Sequence, residues 1–204
     1  KIEKRNKIQD KYFNRIMYLA PSNLADGKRT VCPYAKIAMC EEACLNTAGR
    51  GGIIPSIQKA RIRKTLLFLD EYETFMSQLV EDIQKFIKEC AKLDKLPCLR
   101  LNGTSDIQWE HYLYHGKNIF EMFPQIQFYD YTKIPTRKVE GIPNYHLTWS
   151  YSEANDKYSK LFDKVPNNKA VVFRNHLPSM FKDVKVIDGD EHDMRFLDEP
   201  NVVV

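Results

Sequence analysis

The sequence predicts an α/β fold: a partial or open parallel (β/α) barrel, TIM-barrel-like, in a single domain over residues 1–204. Three observations carry this. Short apolar strands alternate with helices or long connections, which favours parallel strands with crossover helices. No Asn-Gly-type two-residue hairpin separates the strands. Polar residues recur where strands should end, and in a parallel barrel those ends converge on one functional face. A flat doubly wound sheet is the alternative, but no G-x-G-x-x-G follows the first strand.

The elements follow in order. Residues 1–15 form a surface arm, of which Lys1–Lys11 is basic and polar. Ile16–Ala20 is an apolar run stopped by Pro21-Ser22 and reads as the first strand. Asn23–Arg29 is a loop. Ala38–Asn46 is rich in Ala, Met, Glu and Leu and predicts a short helix. Pro55-Ser56 starts a helix through Ile57–Leu69, and Glu73–Leu93 carries apolar residues at 3.6 spacing, a strongly amphipathic helix. Pro97–Gly103 reads as a strand, Ile107–Phe123 as mostly helical, Gln127–Tyr131 and Tyr145–Ser150 as strands, and Glu153–Phe162 as a short helix. Lys169–Arg174, a run centred on Lys185–Ile187 and a final Asn201–Val204 complete about six or seven strands.

Composition sets the broad class. At 43% hydrophobic and 28% charged residues the chain is an ordinary globular protein. No apolar run reaches the length of a membrane span, and no membrane role is expected. Five cysteines without a secretory signal argue for a reducing compartment. The net charge of +4 permits nucleic-acid contact without requiring it.

The chemistry concentrates between residues 32 and 52. Cys32, Cys40 and Cys44 follow a C-x7-C-x3-C spacing on the connection after the first strand. Cys40 and Cys44, four apart on a helix, would share a face. Pro33 would turn Cys32 back toward them. Gly49-Arg50-Gly51-Gly52 then offers a loop of free amide donors. Convergent thiolates beside such donors are the ingredients of an iron–sulfur site. Two readings stand beside it. Zinc also takes thiolates, although its sites prefer closer pairs and four ligands. Buried cysteines are also commonly plain small hydrophobes. Cys90 falls on the apolar stripe of its helix, and Cys98 at its strand's start, so neither is expected to be a ligand.

The strand-end residues should meet the cysteines. Asn102, Thr104, Ser105 and Asp106 stand after the second strand, with Asp130 and Lys133, Ser150 and Ser152, and Asp188 and Asp190 after others. Arg50, Asn102, Thr104, Ser105 and Asp106 are the expected cofactor-binding residues. Three cysteines leave one corner of a cubane unfilled, and Asp106 is the preferred fourth ligand ahead of Asp130 and His146. Ser105 or Asp106 could instead cap a following helix.

The blocks C-P-Y-A-K-I-A-M-C-E-E-A-C-L-N-T-A-G-R-G, R-L-N-G-T-S-D-I, F-Y-D-Y-T-K, Y-H-L-T-W-S and V-I-D-G-D resemble the gene product 88-like phage proteins, from about Ile16 onward. That resemblance implies a phage origin, the cytoplasm of an infected bacterium, a suspected [4Fe-4S] cluster, and a Gly/Lys-rich continuation past Val204. No reaction comes with it, so whether the chain is an enzyme stays open. A looser similarity to radical SAM enzymes implies an open iron for S-adenosylmethionine. The spacing departs from their C-x3-C-x2-C, and Asn102–Asp106 replaces their Gly-Gly-Glu run.

Overall fold

The computed structural model describes residues 9–41 and 44–204. Its centre is one eight-stranded sheet in the order β1-β2-β3-β4-β5-β8-β7-β6. The strands are β1 (Tyr12–Ile16), β2 (Leu96–Arg100), β3 (Gln127–Thr132), β4 (Tyr145–Ser150), β5 (Lys169–Ala170), β6 (Met180–Phe181), β7 (Val184–Val186) and β8 (Val202–Val203). All neighbours pair in parallel except β6 and β7. The α/β class and the parallel pairing match the expectation, and strand order advances without reversal from β1 to β5.

The helices are α1 (Gly49–Ile53), α2 (Pro55–Asp70), α3 (Tyr72–Lys92), α4 (Ile119–Met122) and α5 (Asp156–Ser159). Pro55 opens α2 at a position where its missing N–H costs nothing. α3 buries Phe75, Met76, Ile83, Phe86 and Cys90 on one stripe. It stops where Asp94 turns left-handed at φ 52° and Lys95 donates its N–H back to the Cys90 carbonyl.

Register divides the sheet into two faces. Leu99, Leu101, Phe128, Tyr145 and Leu147 point to the helix side and pack with Phe68, Phe75, Met76 and Ile83. A second cluster under β4 to β8 holds Trp149, Tyr158, Phe162, Val186 and Val203. The opposite face carries Asn14, Arg100, Tyr129, Tyr131 and His146, and there Phe196 covers Tyr12 and Tyr129.

Several expectations are corrected. The first strand is Tyr12–Ile16, taking in residues expected in the arm, and Ile16–Ala20 begins where it ends. The rest of the arm, residues 1–8, lies outside the described residues. No helix spans Ala38–Asn46. Met39 sits at φ 50°, which ends the preceding turn, and only Leu45–Thr47 forms a 3-10 turn, while residues 42–43 are outside the described set. The expected glycine loop is instead the short helix α1, entered through Gly49 at φ 56°.

Ile107–Phe123 is mostly irregular, with a 3-10 turn at Trp109–His111 and α4. Lys169–Arg174 pairs only over Lys169–Ala170. A hairpin was missed: β6 and β7 are joined by Lys182 and Asp183 at φ 47° and 62°. Left-handed angles at both turn residues are what a tight hairpin requires, here without Asn or Gly.

Candidate functional site

The connection after β1 crosses the C-terminal ends of β2 to β4. The Cys32 thiol donates to the Thr104 carbonyl at 3.7 Å, beyond β2. The Ser152 hydroxyl donates to the Ala38 carbonyl at 2.8 Å, beyond β4. The segment therefore straddles the two halves of the core: Cys32 packs on the first cluster, and Tyr34, Ala38 and Cys40 on the second.

The three thiols share this neighbourhood. Cys32 and Cys44 each accept a backbone N–H, from Ser22 at 3.3 Å and from Asn46 at 3.5 Å. Cys40 donates to the Ala35 carbonyl at 3.7 Å. Burial pushes the Cys32 thiol up to about 12, and the nearby charges of Asp106, Cys44 and Cys40 push it the same way. Cys40 is also raised, chiefly by burial, while the Lys133 ammonium pulls it down. Among the described residues, no group of three or more His, Cys, Asp or Glu side chains stands where it could hold a metal ion as placed.

The N-G-T-S-D turn is bonded inward. Asn102 is its hub. Its Oδ1 accepts from Ser105 Oγ at 2.9 Å, from the Ile107 N–H at 2.9 Å and from Trp109 Nε1 at 3.3 Å. Thr104 donates to the Leu19 carbonyl. Gly103 has a physical reason: a Cβ there would stand 2.6 Å from the Met17 carbonyl oxygen. Asn102, Thr104, Ser105 and Asp106 are all buried. The side chain of Arg50 lies outside the described residues.

Asp106 caps no helix. Its Oδ1 accepts from Thr132 Oγ1 at 2.8 Å and Arg137 Nη1 at 3.3 Å, and its Oδ2 from the Lys133 N–H at 2.7 Å. Burial nonetheless dominates and raises its carboxyl. Lys133 donates from Nζ to the Ser150 and Tyr151 carbonyls at 2.9 and 3.1 Å. It is the cation that faces both Cys40 and Asp106.

Behind the turn lies a buried network that sequence reasoning missed. Arg137 makes a fork to Glu110 at 2.8 and 2.7 Å and donates to the Tyr145 hydroxyl at 2.8 Å. Tyr145 donates to Asp130 Oδ2 at 3.0 Å. Asp130 also accepts the Asn102 N–H at 2.7 Å, and burial lifts its carboxyl to about 6. The one local signal was an arginine within an otherwise loop-like I-P-T-R-K stretch.

Cys90 and Cys98 sit apart from this end. Cys98 is the middle residue of β2, not its start. Both are buried, and burial raises both thiols. A cleft of about 380 Å³ opens beside Cys32, lined by Val31, Pro33, Phe68, Asp106, Gln108 and His111, among others. A larger groove of about 650 Å³ runs along α2 past Lys59, Arg63 and Lys64.

Fold and site together define a mixed α/β protein whose cysteine-bearing connection closes over the strand ends of a largely parallel sheet. The chain belongs to the gene product 88 family, a phage gene-product family, whose model matches residues 1–204. No curated protein and no solved structure matches it, so the radical SAM similarity gains no support. Among the described residues no helix is long and apolar enough to cross a membrane.

Proposed function

We propose that this protein binds one [4Fe-4S] cluster through Cys32, Cys40 and Cys44 and serves a redox or electron-transfer role in the infected bacterial host. The observation that supports this best is that one connection carries all three thiols where it crosses the ends of β2 to β4. The donor set suits the group. All three are soft sulfur ligands, and two of the three sulfurs already accept backbone N–H bonds of the kind that tune cluster potentials. A thiol held at about 12 by burial ionises at neutral pH only beside added positive charge, which iron supplies. Loading requires the Cys40–Cys44 segment to draw in on Cys32.

When bound, the cluster supplies one-electron chemistry. The chain does the rest. Lys133 sets a positive charge beside Cys40, offsetting the charge that three thiolates bring. Asp106 would be the residue to close the fourth corner, at the cost of one of its hydrogen bonds to Thr132, Lys133 or Arg137. The buried turn around Asn102 keeps that carboxylate fixed. The uninterrupted β1-to-β5 order also fits the reading of the sheet as an open barrel.

The test is anaerobic purification with iron and sulfide quantification, alongside the triple Cys32→Ala, Cys40→Ala, Cys44→Ala protein. We expect about four irons and four sulfides per chain in the parent, broad visible absorbance, and neither in the variant. Stoichiometric zinc without sulfide, or full iron loading of the triple variant, would overturn the proposal.

A further inference from the structure

The sheet face opposite the helices carries a group of polar residues away from Cys32, Cys40 and Cys44. Register places Asn14, Arg100, Tyr129 and Tyr131 on that face. The turn at Arg195–Leu197 lies over it, with Phe196 against Tyr12 and Tyr129. Arg195 and Arg100 both bear on the Tyr131 phenol. Arg100 lies over the Tyr131 ring, its guanidinium carbon 4.6 Å from the centroid.

The hydrogen bonding here is incomplete. Among the described residues six buried side-chain polar atoms have no hydrogen-bond partner, and three are on this face, Asn14 Oδ1, Arg100 Nε and Arg195 Nε, while a fourth, Asp198 Oδ2, has only its ion pair with Arg195. Arg195 is 1% exposed, so its Nε has no recourse to bulk water. A buried polar atom left unpaired is costly, and native proteins rarely keep several together without a reason. Arg195 is partly compensated. Asp198 stands 3.4 Å from its Nη1, and its Nη2 meets the Gly189 carbonyl and His192 Nδ1 at 3.3 and 3.2 Å. Arg100 forms no ion pair among the described residues, and the carboxylate that feels its charge most is the buried Asp130, which is held in its own network.

Arg100 over the Tyr131 ring and Arg195 on the turn that covers this face each leave an Nε–H without a partner, and such groups are built to receive oxygen acceptors carrying negative charge. Arg100 is the last residue of β2, and it and Tyr131 are half-buried, so the site opens at the strand ends, where ligands of parallel sheets usually enter. We propose that Arg100 and Arg195 form a binding site for a small oxyanion, a phosphate or carboxylate group, on the sheet face remote from the helices. Asp193, which is exposed, and Asp198 both act on Tyr131 and are the internal charges that compete with the ligand.

The test is titration of the full chain with inorganic phosphate and, separately, acetate at constant ionic strength, read by calorimetry and thermal midpoint. Phosphate also stabilises proteins non-specifically, so saturation is the criterion. We expect saturable binding of one anion. Preference for phosphate identifies a phosphoryl ligand, and preference for acetate a carboxylate. Arg100→Met, at a half-buried position, should keep the fold and weaken binding about ten- to a hundredfold, the loss expected for a charge-assisted hydrogen bond. Asp193→Asn should tighten it. Unsaturable responses to both anions, or equal affinity in the parent and Arg100→Met, would show that the arginines are structural only.

Discussion

Arg137 joins two carboxylates that come from different turns: it stands 3.3 Å from Asp106 and 2.7 Å from Glu110, with its own side chain fully buried. This pairing holds the turn after β2 against the segment after β3. Breaking a buried pair costs far more than the pair contributes, because it leaves uncompensated charge. Arg137→Ala should therefore lower stability by about 3–5 kcal/mol in urea unfolding. A loss below about 1 kcal/mol, the value of an exposed pair, would mean that water reaches the network.

Asp130 makes stability depend on pH. Burial raises its carboxyl from 3.8 to about 6, against the pull of Arg100 and Arg137. A folded value above the unfolded one means that the folded chain keeps a proton the unfolded chain has released. That contribution is complete below pH 3.8 and is lost as pH rises through about 6. Asp106 and Asp198 are raised too and act in the same direction. The comparison with Asp130→Asn isolates one group. Between pH 4 and 7 the parent should lose up to roughly 3 kcal/mol more than the variant, since each tenfold difference in proton affinity between folded and unfolded chain is worth about 1.4 kcal/mol. Parallel pH profiles for the two proteins would rule Asp130 out as the source.

Gly51 and Gly52 are expected to respond differently to alanine. At Gly52 a Cβ would stand 2.1 Å from the Thr47 carbonyl oxygen, which is backbone and cannot swing away. At Gly51 it would meet the end of the Arg61 side chain at 2.4 Å, which can move at the cost of its 2.6 Å bond to Asn46. Gly52→Ala should cost about 1–3 kcal/mol, the range for overpacking, and Gly51→Ala less. Thermal midpoints of the two variants decide the order.

The elements that were legible in the sequence are those whose signal is local. Tyr145–Ser150 is a strand over the residues expected, and the stripe through Phe75, Ile83, Phe86 and Cys90 is α3. What failed depends on distant partners or on single backbone angles. Met39 at φ 50° ends a run that its composition favours as helix. The insertion of β8 between β5 and β7 leaves no trace in strand order along the chain. The site divides in the same way. Cysteine spacing marks the connection, but the partners of Asp106 lie 26 to 31 residues further along, and no local pattern announces them. The cap reading of Asp106 failed because Ile107 continues into an irregular segment, with only a 3-10 turn from Trp109.

Cys90 and Cys98 should be dispensable for metal. They sit on α3 and mid-β2, among the most buried residues of the chain, whereas the other three thiols are only partly buried. The double serine variant should lose stability, since each hydroxyl enters an apolar site, yet keep the parent's iron content and visible spectrum. Loss of iron from Cys98→Ser alone, in protein that remains folded, would place a ligand on β2.

Asp106 gives the sharpest test of the fourth ligand of the proposed cluster. Its three hydrogen bonds, to Thr132, Lys133 and Arg137, give it a structural role whatever else it does. A carboxylate is a harder ligand than a thiolate, so iron held by it would be the one lost first. Asp106→Ala removes both roles together. Asp106→Asn keeps the shape and an acceptor for the Lys133 N–H while removing the charge that Arg137 faces. If Asp106 closes the corner, mild oxidation should convert both variants to a [3Fe-4S] form with its own electron paramagnetic resonance signal, while the parent resists. If its role is structural alone, Asp106→Ala should be destabilised by a few kcal/mol through the exposed imbalance at Arg137, and the spectrum of folded Asp106→Asn should match the parent's. The second outcome would leave the corner open to water or an added ligand, with Asp106 serving only to fix the turn beneath it.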